Sequence, residues 1–367
     1  MLNKIDIRNF KCFQDASVPL NALTIFSGIN GVGKSTTIQS LLLLRQSLLN
    51  YEQRKRMAIL NGPLVSLGYS EDILYENATT DEIHFSLYTD DQVQEFAFLY
   101  EKSARELVMK QCPEIPCGSL FEDSFAYLNA ERIGPRVSFS IPIKALKTIN
   151  AIGNQGEYCA WLLSLTEEMP VPVKSLCDKA QPNDHLRTQT EYWLSRMGQP
   201  VHIHLDNHKD MDNVSMQFSF VRVGSRNYRP TNVGFGYTYC LPILVAVLMA
   251  SPGAMICLEN PEAHLHPKAQ TIMGEFLARA AAGGIQILME THSDHILNGV
   301  RIATKRGLIE PDKVALNFLY HQDGDMFTSI MTPHLDKYGR IPDWPDGFFD
   351  EWDNNLAELL RVSINHE

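Results

Sequence analysis

The sequence predicts an α/β fold of the P-loop nucleoside-triphosphatase kind, with a β-rich N-terminal arm and an α+β insertion. Three stretches carry that prediction. Ser27-Gly28-Ile29-Asn30-Gly31-Val32-Gly33-Lys34-Ser35-Thr36 reads G-x-x-x-x-G-K-S between an apolar strand, Ala22 to Phe26, and a helix-like run, Thr36 to Leu49. Ala254 to Glu259 reads as a buried parallel strand ending in a carboxylate. Ile285 to Met289 is a second such strand, followed by Glu290-Thr291-His292-Ser293. Strands that finish in acids and histidines put polar chemistry at the carboxyl edge of a parallel sheet, where a phosphate loop also sits.

The loop's residue types suit triphosphate binding. Glycines let backbone N–H groups turn inward around a phosphate, and the following helix adds its positive end. Lys34 is placed to reach the β- and γ-phosphates, and the Ser35 hydroxyl to meet Mg²⁺. These residues predict an ATP-class ligand with magnesium.

Composition narrows the rest. A chain of 367 residues can bury about three quarters of its unfolded surface. Its 44% hydrophobic and 20% charged content describe a globular protein. A net charge of −11 disfavours a constitutive nucleic-acid coat, though not a local basic groove. The densest basic run, Arg54-Lys55-Arg56, reads as a solvated helix face. No apolar run has transmembrane length, and Met1 to Lys4 lacks a signal-peptide core, so a cytoplasmic location is expected. The seven cysteines form no C-x-x-C pair.

In chain order, Lys4 to Ile7 alternates like a strand, and Ser17 to Leu20 with Ala22 to Phe26 suggests a short meander feeding the loop. Phe10 and Phe13, just ahead of it, suit either base stacking or the core. Leu41 to Leu44 is too apolar for a surface helix and should pack on a sheet. Val65 to Leu74 reads as a turn and a helical start. Glu82 to Leu87 and Glu95 to Tyr100 read as an antiparallel hairpin bending at Asp90-Asp91. Farther on, Tyr158 to Thr166 and Leu186 to Met197 read as helices, and Val201 to Leu205 and Ser215 to Val223 as strands.

In the second half, Thr231 to Tyr237 leads into an apolar helix, Thr238 to Ala250, with Pro242 near its first turn. A helix from Lys268 to Ala281 separates the two acid-tipped strands, and another runs to about Arg306. The tail reads as a strand, Val314 to Tyr320, a turn at Asp323-Gly324-Asp325, a strand from Phe327 to Met331, and a last amphipathic helix to Val362. Trp344, Phe348, Phe349 and Trp352 form either a packed cap or a docking patch. The domain reading is 1–100 for the N-terminal half of the head with its β arm and 101–225 for an insertion or lid. It continues with 226–335 for the C-terminal half of the head and 336–367 for a C-terminal cap.

With Gly28 to Thr36, Glu259-Asn-Pro-Glu-Ala-His-Leu-His-Pro267 and Glu290-Thr-His-Ser-Asp-His295 in hand, the chain resembles an ABC-type ATPase head. More narrowly, it is similar to the RecF-like and OLD-like ATPases of bacterial genome-maintenance and phage-defence loci. The likeness covers roughly residues 1–75 and 225–305. It implies that Gly28, Asn30, Gly31, Gly33, Lys34, Ser35 and Thr36 hold the nucleotide. It implies Glu259 as the Walker B acid on Mg²⁺ and His292 as the switch histidine facing the γ-phosphate. Val233 to Gly236, with Gly234 and Gly236, falls where such heads carry the signature motif that completes a partner's site. His264 to His266 falls at the subunit-contact loop, and a magnesium-contacting loop falls near Ser66 to Asp72.

The chain departs from that pattern at Asn260, where the family carries its catalytic glutamate. A neutral amide cannot accept water's proton, and a lost general base typically costs ~10²–10⁴-fold. Glu262 or Glu290 then takes that role, or turnover is slow. The His264, His266, His292 and His295 spacings suit zinc, but the nucleotide reading already employs most of these positions. An arginine of Tyr127-Leu-Asn-Ala-Glu-Arg132-Ile-Gly-Pro-Arg136 either reaches the phosphates or makes a surface ion pair.

The resemblance implies an ATP-driven switch that dimerises head to tail. With no heptad array for a coiled coil, and only about sixty residues after the last matching helix, the expected effector is a separate protein such as a nuclease encoded nearby. The alternative is a DNA-binding ATPase of recombination or repair; no membrane partner is expected.

Overall fold

The computed structural model describes residues 1–48, 57–114, 118–143, 148–221, 226–321 and 328–364. The chain opens with strands Leu2–Phe10 (β1), Phe13–Pro19 (β2) and Leu23–Ser27 (β3), then helix Lys34–Leu48 (α1). Short strand Met57–Ile59 (β4) precedes Glu82–Thr89 (β5), Val93–Leu99 (β6) and Glu106–Gln111 (β7). Next come Phe125–Leu128 (β8), Ser138–Ser140 (β9), helices Cys159–Thr166 (α2) and Leu186–Met197 (α3), and strands Val201–His208 (β10) and Asn213–Phe220 (β11). The second half holds Phe235–Met249 (α4), Met255–Glu259 (β12), Pro267–Ala282 (α5), Gln286–Glu290 (β13) and Asp294–Lys305 (α6). Strands Val314–His321 (β14) and Thr328–Met331 (β15) and helix Glu351–Ile364 (α7) complete it. The basic run 54–56 and the turn at 323–325 lie outside the described residues.

The central sheet has the order β15-β14-β3-β13-β12-β8. Within it β14, β3, β13, β12 and β8 run parallel, and β15 closes one edge antiparallel. Each central strand is buried on both faces, and its alternate residues enter two different cores. Ile256 and Leu258 pack with α4, α5 and α3, while Met255 and Cys257 pack with α1 and the N-terminal arm. The period-2 geometry of a strand produces this division, and burial on both faces explains the near-absence of polar residues. The Leu41–Leu44 run of α1 is fully buried between sheet and arm, as its composition predicted.

The arm is a separate antiparallel sheet, β2-β1-β5-β6-β7-β4. Three expectations are corrected here. Strand β2 pairs with β1 in the arm, whereas β3 enters the central sheet, so the two form no meander. The boundary at 100/101 cuts through the head: β7 pairs with β6 in the arm, and β8 is the edge strand beside β12. What remains of the insertion is a three-stranded sheet, β10-β11-β9, packed with α2 and α3. Phe10 and Phe13 are fully buried in the arm's core and do not face a base. The last correction concerns α4, which starts at Phe235, so Pro242 falls in its interior.

Candidate functional site

Strand β13 lies between β3 and β12, with Glu290 in register with Phe26 on one side and Glu259 on the other. The phosphate loop leaves β3 directly beside Glu290. Chain topology thus brings both acids and the loop to one edge, as the sequence pattern implied.

The loop's backbone admits little besides glycine where it matters. Gly28 has φ 138°, and a Cβ there would stand 2.1 Å from the Leu319 carbonyl oxygen. Gly33 has φ 96°, and a Cβ would stand 2.5 Å from Cys12 Sγ. Left-handed glycines turn the amides inward, and the first amides of α1 have no partner within the helix. The buried Lys34 ammonium donates to the Gly28 and Ile29 carbonyls at 3.0 and 2.8 Å. Burial lowers its proton affinity, while Glu290 raises it. Ile29, Asn30 and Gly31 are exposed, so the loop is open to a ligand. This donor set fits a triphosphate.

The Ser35 hydroxyl donates to Glu290 Oε2 at 2.7 Å, and Lys34 Nζ lies 4.0 Å from Glu290 Oε1. Glu259 is bound elsewhere: it accepts Tyr127 Oη at 2.9 Å and the Ala130 amide at 3.2 Å. Burial raises the proton affinity of both acids, and their mutual repulsion adds to it at Glu259. Magnesium takes one or two carboxylates together with phosphate oxygens and water. Ser35, Glu259 and Glu290 offer a hydroxyl and two carboxylates at neighbouring strand ends, a donor set that fits such an ion. Among the described residues, no group of three or more His, Cys, Asp or Glu could hold a metal by itself, and the histidines form no zinc cluster.

Glu262 uses both carboxylate oxygens to shape the loop after β13. Its Oε2 accepts Thr291 Oγ1 at 2.7 Å and its Oε1 accepts the His292 amide at 2.9 Å. His292 stands half exposed, 4.0 Å from Glu290 Oε1, and burial and Lys34 together favour its neutral form. His292, Gly28 and Asn30 line a cleft of about 510 Å³ that Phe318, Phe348 and Asp350 also line. Phe348 is buried against Phe318, Trp344 and Phe349, so that part of the C-terminal segment is a packed cap, whereas Trp352 is exposed. The cap's place in the cleft wall had no local signal in the sequence.

Asn260 takes a left-handed backbone, φ 46°, and its amide donates to the Glu290 carbonyl at 2.9 Å. Its own carbonyl accepts Arg132 Nη2 at 2.6 Å. Arg132 is buried with main-chain carbonyls as its hydrogen-bond partners, whereas Arg136 of the same stretch is exposed. Gly234 caps α4, and Gly236 lies close to the His264 carbonyl, where a Cβ would stand at 3.0 Å. The structure therefore joins the signature-like residues to the His264 loop. In the stretch read as a magnesium-contacting loop, Ser66 donates to Asn61 and Asp72 accepts the Tyr69 amide.

The sheet order and loop geometry define a P-loop nucleotide-binding ATPase head. Three family models match the chain in part: "AAA ATPase domain" over residues 1–108, "AAA domain, putative AbiEii toxin, Type IV TA system" over 169–298, and "Protein of unknown function (DUF3696)" over 309–359. No curated protein matches. Among solved structures, an Smc head bound to the C-winged helix domain of ScpA is 12% identical with TM-score 0.51, covering 91% of this chain and 98% of its own. An Smc head with an extended coiled coil, bound to the C-terminal domain of ScpA derived from Pyrococcus furiosus, is also 12% identical with TM-score 0.51. That match covers 98% of this chain and 99% of the other. The fold is that of an ABC-type ATPase head, and with the AAA-domain matches the chain is an ATP-binding ATPase.

Proposed function

We propose that this ATPase is a nucleotide-held switch that closes head to tail with a second copy and, when closed, controls a separate effector protein. The observation that carries the reading is the contact of Ser35 with Glu290 beside Lys34. It supports a working carboxylate at the phosphate loop, although Asn260 stands where the resembled family has its general base. Glu290 is the proton acceptor for the attacking water; Glu262 shapes the His292 loop instead. Magnesium would be held by Ser35 with Glu259 on the neighbouring strand, leaving Glu290 as the base, and would neutralise phosphate charge. Lys34, Asn30, the loop amides and neutral His292 orient the phosphates.

Gly234 and Gly236, at the N-terminal end of α4, face the second copy's γ-phosphate in the closed state. A ligand shifts such an equilibrium only through differential affinity, and these γ-phosphate contacts supply the difference. The Smc heads named above are bound to domains of ScpA, which supports a head of this fold engaging a partner protein. The RecF-like and OLD-like resemblance of the acid and histidine motifs favours a role in phage defence, with a nuclease as effector.

Sedimentation of the full chain with magnesium and a slowly hydrolysed ATP analogue tests the switch. A nucleotide-dependent dimer, lost in Lys34→Ala, is the expected result; a monomer at every nucleotide concentration would contradict it. DNA binding that weakens steeply with salt in the ATP-bound state would replace the effector reading with a direct nucleic-acid role.

A further inference from the structure

Arg132 is buried, and among the described residues its guanidinium is satisfied by main-chain carbonyls. Nη1 donates to Glu259 O at 2.6 Å and Asn129 O at 3.0 Å, Nη2 to Asn260 O at 2.6 Å, and Nε to Tyr239 O at 3.2 Å. These carbonyls come from the ends of β8 and β12 and from the first turns of α4. The guanidinium also lies 5.5 Å from the Tyr239 ring centroid. Tyr239 meets the His264 ring edge to face at 4.5 Å, and His264 meets Phe235 at 5.4 Å. Phe235, the first residue of α4, is 54% exposed. His264 has a left-handed backbone, φ 60°, as does Asn260, so both ends of the 260–264 turn are conformationally constrained.

A fork-shaped cation with several fixed donors imposes geometry on carbonyls that a flexible ammonium cannot reproduce. We infer that Arg132 is a positioning residue that fastens the Glu259–Asn260 strand end to the first turns of α4, whose exposed tip, Phe235, packs on His264. Nucleotide-driven adjustment beside Glu290 then moves that tip as one body with the acid-bearing strand. Asn260 is the link to the phosphate site, because its amide is bonded to the Glu290 carbonyl. The inference rests on the nucleotide reading of the site and adds the physical path by which the site reaches the surface.

Hydrogen exchange of the full chain, with and without magnesium and a slowly hydrolysed ATP analogue, tests it. In the wild type, nucleotide slows exchange at residues 28–37 and also at 233–239. His264→Ala, which leaves Arg132 in place, keeps the first response and loses the second. Arg132→Lys lowers kcat by ~10-fold with KM nearly unchanged, as expected for loss of an interaction that matters only in the transition state. It also loses the response at 233–239. Retention of that response in both variants would overturn the inference, as would a wild type whose nucleotide response stops at 28–37. Absence of any response at 28–37 would instead overturn the nucleotide reading, and with it the inference.

Discussion

A carboxylate that accepts a serine hydroxyl at 2.7 Å and lies 4.0 Å from a lysine ammonium is held in its charged form by both, while burial opposes them. At Glu290 burial wins, and the carboxyl binds its proton more tightly than an ordinary glutamate. Glu259 is raised for the same first reason. Two pH effects follow. Turnover rises with pH as Glu290 ionises, because only the carboxylate accepts a proton. In the ligand-free chain the sign for stability is opposite. Between the unfolded and folded values the folded state binds more protons, so this contribution is present at low pH and is lost as pH rises through the raised value. Glu290→Gln should therefore gain melting temperature relative to wild type as pH rises from the ordinary glutamate range to neutrality. A difference that stays flat across that range would contradict the assignment. Lys34→Ala removes a charged donor from the phosphates, and hydrogen bonds to charged groups contribute about 1.5–3 kcal/mol each. Nucleotide affinity should fall about 10²-fold by equilibrium titration; an unchanged affinity would remove Lys34 from the site.

At the scale of elements, the acid-tipped strands are fixed by what packs behind them. Helices α5 and α6 cross so closely that a Cβ on Gly299 would stand 2.2 Å from the Thr271 carbonyl oxygen, and one on Gly274 2.2 Å from that of Ile296. Neither neighbour is a flexible side chain, so the helices must separate. Overpacking of this kind costs about 1–3 kcal/mol, and urea unfolding of Gly299→Ala should show a loss of that size. An unchanged midpoint would mean that the crossing is loose. Regular periodicity made most elements legible: α2, α3, α5, α6 and the β5–β6 hairpin were readable to within a residue or two at either end. Where tertiary contacts decided, the sequence was silent. Helix α4 extends back to Phe235 because its first turn is held by the His264 loop, while Gly156 accommodates the Pro242 ring, where a Cβ would stand 2.4 Å away. Strand β2 leaves the path to β3 because its partner is β1, a pairing that alternation cannot reveal.

Across the whole molecule, the phosphate loop, Glu259, Glu290 and His292 were legible because each sits where a buried strand meets a polar turn. Arg132 was not, because its partners are carbonyls from distant segments, which leave no pattern of charges. The cleft wall formed by Phe348 and Asp350 was hidden for the same reason. The three partial family matches divide the chain, yet its central sheet takes strands from the segments covered by the N-terminal AAA model, the second AAA model and the C-terminal model. Unfolding of the described body is therefore expected to be cooperative across those boundaries, with calorimetric and van't Hoff enthalpies agreeing. Two well-separated transitions would contradict that.

The central claim is that Glu290, on the strand beside the phosphate loop, is the working carboxylate in place of Asn260. Steady-state ATP hydrolysis by the wild type, Glu290→Gln and Glu262→Gln, with nucleotide binding measured in parallel, tests it most directly. The account predicts that Glu290→Gln binds nucleotide and loses ~10²–10⁴-fold in kcat, whereas Glu262→Gln retains most of its turnover. Full turnover in Glu290→Gln, or its loss only in Glu262→Gln, would contradict it.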